Sequence, residues 1–203
     1  NLDGHLAYFF LAFIATAGLS YMNYLPSMVN ALAGGLGFSK VEAGQIVAFN
    51  GYGGLIGIAL ATFMVTKTNS RSTIIKALLI LALVDLATTF VDEYFLMLGW
   101  RFLAGVIGGI CVGLAFSAVA KTKNPDRGFG FLLFIQFSLG SLVIMLLPTL
   151  EFYVNANAVF YVMAGIVLAS TFLQLLLPEP SSVKQQDSEV TSSSKLTREQ
   201  LLL

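Results

Sequence analysis

The chain has 203 residues, of which 57% are hydrophobic and only 11% are charged, and its formal net charge is zero. Soluble domains average about 25% charged residues, so this composition excludes an ordinary soluble domain, and the balanced charge gives no support for nucleic-acid binding. The single cysteine, Cys111, excludes an internal disulfide and a cysteine-ligated metal cluster. The composition is typical of an all-α membrane protein with several spans.

Apolar segments long enough to cross a bilayer recur along the chain. One crossing needs roughly 20 predominantly apolar residues. Six segments approach or exceed that length, and short polar or glycine-rich turns separate them. The sequence therefore predicts a bundle of six transmembrane helices over residues 1–180. The predicted spans are about 6–29, 43–66, 72–91, 95–120, 128–150 and 158–177.

The character of the chain changes after Pro180. Residues 181–194 are rich in serine and charge and have no apolar periodicity, which is typical of disorder. Thr197 and Gln200 have the spacing of a capping box and predict a helix start near residue 197. We predict that 181–203 is a polar cytoplasmic loop or tail.

The placement of lysine and arginine predicts the orientation of the bundle. Cytoplasmic loops of membrane proteins carry an excess of these two residues. One side of the predicted bundle has only Lys40, whereas the basic residues cluster on the other side, so both termini are expected to be cytoplasmic. The clustered residues are Lys67, Arg71, Lys76, Lys121, Lys123, Arg127, Lys184, Lys195 and Arg198.

The fourth predicted span combines an arginine with regularly spaced glycines. Arg101 lies inside the apolar segment, where an ionisable side chain is costly and its default interpretation is functional. Gly105, Gly109 and Gly113 share one helix face, and Gly53 and Gly57 make a similar pair in the second span. Such faces allow a neighbouring backbone to approach closely, for static packing or for sliding during transport.

Several segments together resemble a known family. They are N-Y-L-P-S-M-V from residue 23, G-L-G-F-S-K-V-E-A-G from residue 35, G-Y-G-G-L-I-G from residue 51 and R-x-x-x-G-x-x-G-G from residue 101. With six spans and a basic loop after the second, residues 6–180 resemble the N-terminal half of a major facilitator superfamily transporter. The loop after the second span departs from the family pattern. It keeps Lys67 and Arg71 as gate-loop candidates but lacks the expected aspartate.

The resemblance implies a twelve-helix secondary transporter in the cell membrane, with a missing C-terminal six-helix half as partner. Alternating access would move a small solute through a cavity between the halves, at a site near the midplane. In the family, helices one, two, four and five face that cavity most. Candidate solute or coupling residues on these helices are Tyr21, Asn23, Asn50, Tyr52, Arg101 and Gln136.

Asp85, in the third span, leaves two interpretations open. Its predicted depth is similar to that of Arg101 on the next, antiparallel helix, so an ion pair between them fits the spacing. A lone Asp85 in a dry interior would instead be able to take up a proton during transport. Arg101 itself favours an organic anion or proton coupling, because its guanidinium suits carboxylates.

Two other function classes compete with transport. An enzyme would need a catalytic group, and the one histidine, His5, lies at the chain terminus, so no enzyme activity is predicted. No cofactor or metal is predicted, and nucleotide use is not expected because there is no G-x-x-x-x-G-K-[ST] phosphate loop. The remaining alternative is a self-associating six-helix half-transporter or a channel, which would have the same spans.

Overall fold

A computed structural model describes residues 2–65, 70–122 and 124–176. Within these ranges the structure is helical and contains no strand. Lys67 and the predicted tail 181–203 lie outside the described residues. The helices are α1 (Leu2–Gly18), α2 (Ser20–Asn23), α3 (Leu25–Asn30), α4 (Lys40–Met64), α5 (Ser70–Ala87), α6 (Tyr94–Ala120), α7 (Pro125–Tyr153) and α8 (Ala158–Leu176).

Five of the described helices are long and apolar enough to cross a membrane by length and composition. These helices, α4 to α8, occupy the positions of the second to sixth predicted spans. The apolar part of α1, Tyr8–Gly18, is shorter. The architecture is therefore that of an all-helical polytopic membrane protein, as the sequence predicted, with five candidate spans and one shorter apolar helix.

The first predicted span, 6–29, differs from the structure because it is not one continuous helix. Helix α1 ends at Gly18, and Leu19 and Tyr24 separate α1, α2 and α3. A π-helical turn, Ala31–Gly35, follows α3. Pro26 has no N–H, so the carbonyl of Met22 lacks the donor that a continuous helix would supply. The interruption begins at Gly18, about two turns before Pro26.

Side-chain caps fix the starts of α4 and α6. Ser39 and Glu42 form a reciprocal capping box, with Ser39 N donating to Glu42 Oε2 at 2.8 Å and Glu42 N donating to Ser39 Oγ at 3.2 Å. Glu93 accepts hydrogen bonds from the backbone N–H groups of Phe95 and Leu96. These carboxylates satisfy amides that the first helical turn leaves without partners. Helix α4 therefore begins three residues before the predicted start at 43.

Helix α6 is at the centre of the bundle. It packs against α1, α4 and α5, while α5 packs against α8 and α1 packs against α7 and α8. Half of the apolar stretch of α6 is buried, compared with 28% of that of α7. The outer faces of α4 and α7 carry exposed apolar residues, including Leu60, Phe63, Phe134 and Met145. The residues of α6 are therefore the best placed to connect several helices.

Candidate functional site

Arg101 lies two turns into α6 and is enclosed by neighbouring side chains. Only 1% of its side chain is exposed, and Asp85 of α5 is completely buried. Nη1 of Arg101 donates a hydrogen bond of 2.8 Å to Asp85 Oδ1 and another of 3.3 Å to Thr88 Oγ1. The ion pair that the sequence left open is therefore formed, and it joins α5 to α6.

An aromatic ring completes the surroundings of this pair. The guanidinium carbon of Arg101 is 5.8 Å from the centre of the buried Phe160 ring on α8. That distance is within the range of about 6 Å for a cation–π interaction. The ion pair has a single hydrogen bond, and within the described residues Asp85 Oδ2 and Arg101 Nε have none. Arg101 consequently connects three helices, α5, α6 and α8, at one point.

A groove of about 390 Å³ lies between the broken first span and α4, and its floor is formed by α6. Tyr21 stands on the α2 side, whereas Tyr52, which is 59% exposed, stands on the α4 side. We call this space the tyrosine groove. It is lined by Gly18, Leu19, Tyr21, Met22, Ala48, Gly51, Tyr52, Gly54, Leu55, Ile58, Gly109 and Val112. Its lining is apolar apart from the two phenol groups and backbone atoms.

Two further predicted residues meet on the other side of the break. Gln136 Nε2 of α7 donates to Asn23 Oδ1 of α2 at 3.4 Å. Asn23 also lies beside Gly140 of α7, where a Cβ would be 3.5 Å from the side-chain carbon of Asn23. The Asn23 Nδ2 atom is buried and has no hydrogen bond within the described ranges. This amide pair ties the interrupted part of the first span to α7.

Asn50 belongs to the packing between α4 and α6 and does not line the groove. It is 1% exposed, and its side-chain oxygen has no hydrogen-bond partner in the described part of the chain. A Cβ on Gly105 would overlap the Asn50 carbonyl oxygen. The six candidate residues for solute or coupling therefore do not form one site. Tyr21 and Tyr52 share the groove, Asn23 and Gln136 pair at α7, and Arg101 and Asn50 are enclosed.

The predicted glycine faces pack against each other. A Cβ at Gly53 or Gly57 of α4 would overlap the carbonyl oxygen of Phe102 or Val106, respectively. A Cβ at Gly109 would overlap the Gly54 carbonyl oxygen, and one at Gly113 would lie 2.5 Å from Ala61 Cβ. The two helices therefore touch backbone to backbone, as such glycine spacing allows.

Some residues of these clusters were not predicted. Thr88 lies three positions after Asp85, a spacing that places both on one helix face. The sequence could therefore have indicated that Thr88 is near the ion pair. Trp100 donates from Nε1 to the Val84 carbonyl oxygen at 3.0 Å and reinforces the same α5–α6 contact. Phe160 is 59 positions after Arg101 in the chain, and nothing in the sequence indicated that the two side chains meet. Arg71 lies in the first turn of α5, and because Lys67 is outside the described residues, the gate loop stays a prediction.

A polytopic helical bundle with a groove beside a broken first span and an arginine in its central helix suggests a transport domain. The family model described as Major Facilitator Superfamily matches residues 8–202. The chain belongs to this superfamily. The comparison with curated proteins gave no match. The family that the sequence predicted, partly from Arg101, Gly105 and Gly109, is thereby confirmed.

Membership of the superfamily indicates the class of function. Its members are transporters and not enzymes, so the chain belongs to a class that moves small solutes across a membrane. The apolar helices agree with an integral membrane protein.

Proposed function

We propose that this chain is the six-helix N-terminal half of a secondary transporter in the cell membrane. It works with a C-terminal six-helix half by alternating access, and both of its ends are cytoplasmic. The interrupted first segment, together with the five long helices, completes the six crossings. Superfamily membership and the apolar helices support this proposal, and so does the bias of basic residues towards one side.

The observation that carries the proposal is the tyrosine groove. It lies where the first span is interrupted, and interrupted spans in transporters leave polar backbone groups for a substrate or ion. Tyr21 and Tyr52 give the groove two phenol groups on opposite sides. We therefore assign the groove to the solute path and Tyr52, the more exposed of the two, to direct contact with the solute.

The charge of Arg101 has a different role in this proposal. Its guanidinium is paired with Asp85, covered by Phe160 and absent from the groove lining. It therefore supplies no support for an organic anion, although the sequence favoured one. We propose that Arg101 and Asp85 position α5, α6 and α8. Proton coupling through Asp85 is a second candidate, since Oδ2 has no hydrogen bond within the described residues.

The first experiment measures solute uptake by vesicles that contain the full-length native product. Wild type and Tyr52→Ala are screened over small organic acids, sugars and cationic drugs. Tyr52→Ala is expected to lower kcat/KM for the transported class by about tenfold or more, because one lost contact in a pocket has about that effect. Tyr161→Ala is the matched control, since Tyr161 is 40% exposed on α8 and lies outside the groove.

The outcomes separate the competing functions. Saturable, gradient-driven uptake that Tyr52→Ala reduces and Tyr161→Ala preserves supports the proposal. Equal uptake by all three proteins removes the groove from the solute path. Flux that does not saturate with solute concentration favours the channel alternative, and gradient-driven flux by a product of only six spans favours the self-associating half-transporter.

A further inference from the structure

The glycines of α4 lie in three different environments. Gly53 and Gly57 face the backbone of α6, and Gly44 faces open space with no other heavy atom within 4 Å of a Cβ. Gly51 and Gly54 instead face the Tyr21 hydroxyl, which would be 3.5 Å from a Cβ at either position. The backbone of Gly54 also contacts α6, but only at Gly53 and Gly57 would an added Cβ overlap it.

The fold does not require glycine at 51 and 54. A separation of 3.5 Å is ordinary van der Waals contact, and apart from the Tyr21 side chain the nearest atom is the Gly105 carbonyl oxygen, 3.9 Å from a Cβ at Gly54. Neither glycine has a positive φ angle. Alanine would also be the better helix former. The missing methyl groups therefore leave room in the groove, at a cost to the helix and without a gain in packing.

We propose that Gly51 and Gly54 set the width of the tyrosine groove and thereby the largest solute cross-section that it admits. This inference rests on the proposed function, because it takes the groove as part of the solute path. The two glycines lie beside Tyr21, and a methyl group at either position would contact its hydroxyl and fill the part of the groove next to it. The groove lining carries no charged side chain, and the solute part held there is uncharged, with an apolar body beside Leu55 and Ile58.

The width can be measured without knowing the solute. Ile58 lines the groove one turn beyond Gly54 and is 37% exposed, so Ile58→Cys places a thiol there. Cys111 is buried and is replaced by alanine in the full-length native product, together with any other reactive cysteine. The probes are two uncharged methanethiosulfonate reagents, one carrying a methyl group and one a benzyl group. Their reaction rates with the thiol report the space available.

Gly51→Ala and Gly54→Ala are expected to slow the benzyl reagent by about tenfold, the effect of one methyl group in a pocket, and to leave the methyl reagent unchanged. Gly44→Ala is the matched control on the same helix, because its methyl group meets nothing, and it should change neither rate. Unchanged benzyl rates in the two groove variants would overturn the inference whether or not the protein transports.

A second experiment measures KM for solute uptake. For the solute class found with wild type, Gly51→Ala and Gly54→Ala should raise KM for the larger members and preserve it for the smaller ones. An equal loss for both sizes would overturn the inference, because it would mean that the alanines act through the fold. A different result would overturn the assignment of the groove to the solute path. In that case Gly51→Ala and Gly54→Ala slow the benzyl reagent, but Tyr52→Ala leaves solute uptake unchanged. The two failures are thus distinguishable.

Discussion

Helix α6 is held against two of its neighbours, α4 and α5, by opposite means. Towards α5 it uses polar side chains, with Arg101 bonded to Asp85 and Thr88 and Trp100 bonded to the Val84 carbonyl. Towards α4 it uses glycines, whose missing side chains let the two backbones touch. Lipid tails are as apolar as leucine, so burial of apolar surface cannot select one helix partner over another. Both contacts therefore depend on features other than hydrophobicity.

The two contacts should respond differently to substitution. A polar pair fails when one partner is removed, because the other charge remains buried without compensation. A glycine contact fails when a side chain is added, because the helices must then move apart. The expected losses of stability differ in size accordingly, and each is measured as the free energy of unfolding of the full-length native product in mixed detergent and SDS.

The largest effect is expected for Asp85→Asn. It leaves the Arg101 charge buried among α5, α6 and α8, and breaking a buried ion pair in this way costs about 3–5 kcal/mol. The double variant Asp85→Asn/Arg101→Gln removes both charges and should recover most of that loss. Asp92→Asn, an equivalent change at an exposed position between the same two helices, should have almost no effect. A double variant as unstable as Asp85→Asn would contradict the role of the ion pair.

A smaller effect is expected at the glycine contact. Gly57→Ala and Gly109→Ala would each force a methyl group onto a backbone carbonyl of the facing helix. Overpacking of this kind typically costs about 1–3 kcal/mol. Gly44→Ala on α4 and Gly99→Ala on α6 are matched controls, because a Cβ at either position has no other heavy atom within 4 Å. Equal stability of the contact variants and the controls would show that α4 and α6 are not in close backbone contact.

The smallest effect is expected for Trp100→Phe. This change removes the hydrogen bond from Nε1 to the Val84 carbonyl oxygen and keeps an aromatic ring between α5 and α6. Hydrogen bonds between membrane helices average about 0.6 kcal/mol, and a loss of that order is expected in the same unfolding measurement. A loss as large as that of Asp85→Asn would mean that the tryptophan, and not the ion pair, dominates the α5–α6 contact.

Much of the fold could be predicted from the sequence, because membrane helices follow from local properties. The depletion of charge identified long apolar segments, and five of them are the helices α4 to α8. The start of α4 was also encoded locally, in Ser39 and Glu42, although hydropathy alone placed it at residue 43. The interruption at Gly18 was not evident, because it coincides with the approach of Gly18 to the Gly108 carbonyl of a distant helix.

The candidate site was only partly predictable. The sequence identified Arg101 and Asp85 as polar residues at similar depth, and it placed the glycines of α4 and α6 on helix faces. Helical periodicity gives the direction of a side chain around its own axis but not the neighbour that it meets. Tertiary packing decided that Asp85 and Phe160 enclose Arg101 and that Tyr21 and Tyr52 border one groove. It also decided that a side chain at Gly51 or Gly54 would face the groove while one at Gly53 or Gly57 would overlap α6, because that distinction depends on how the helices cross.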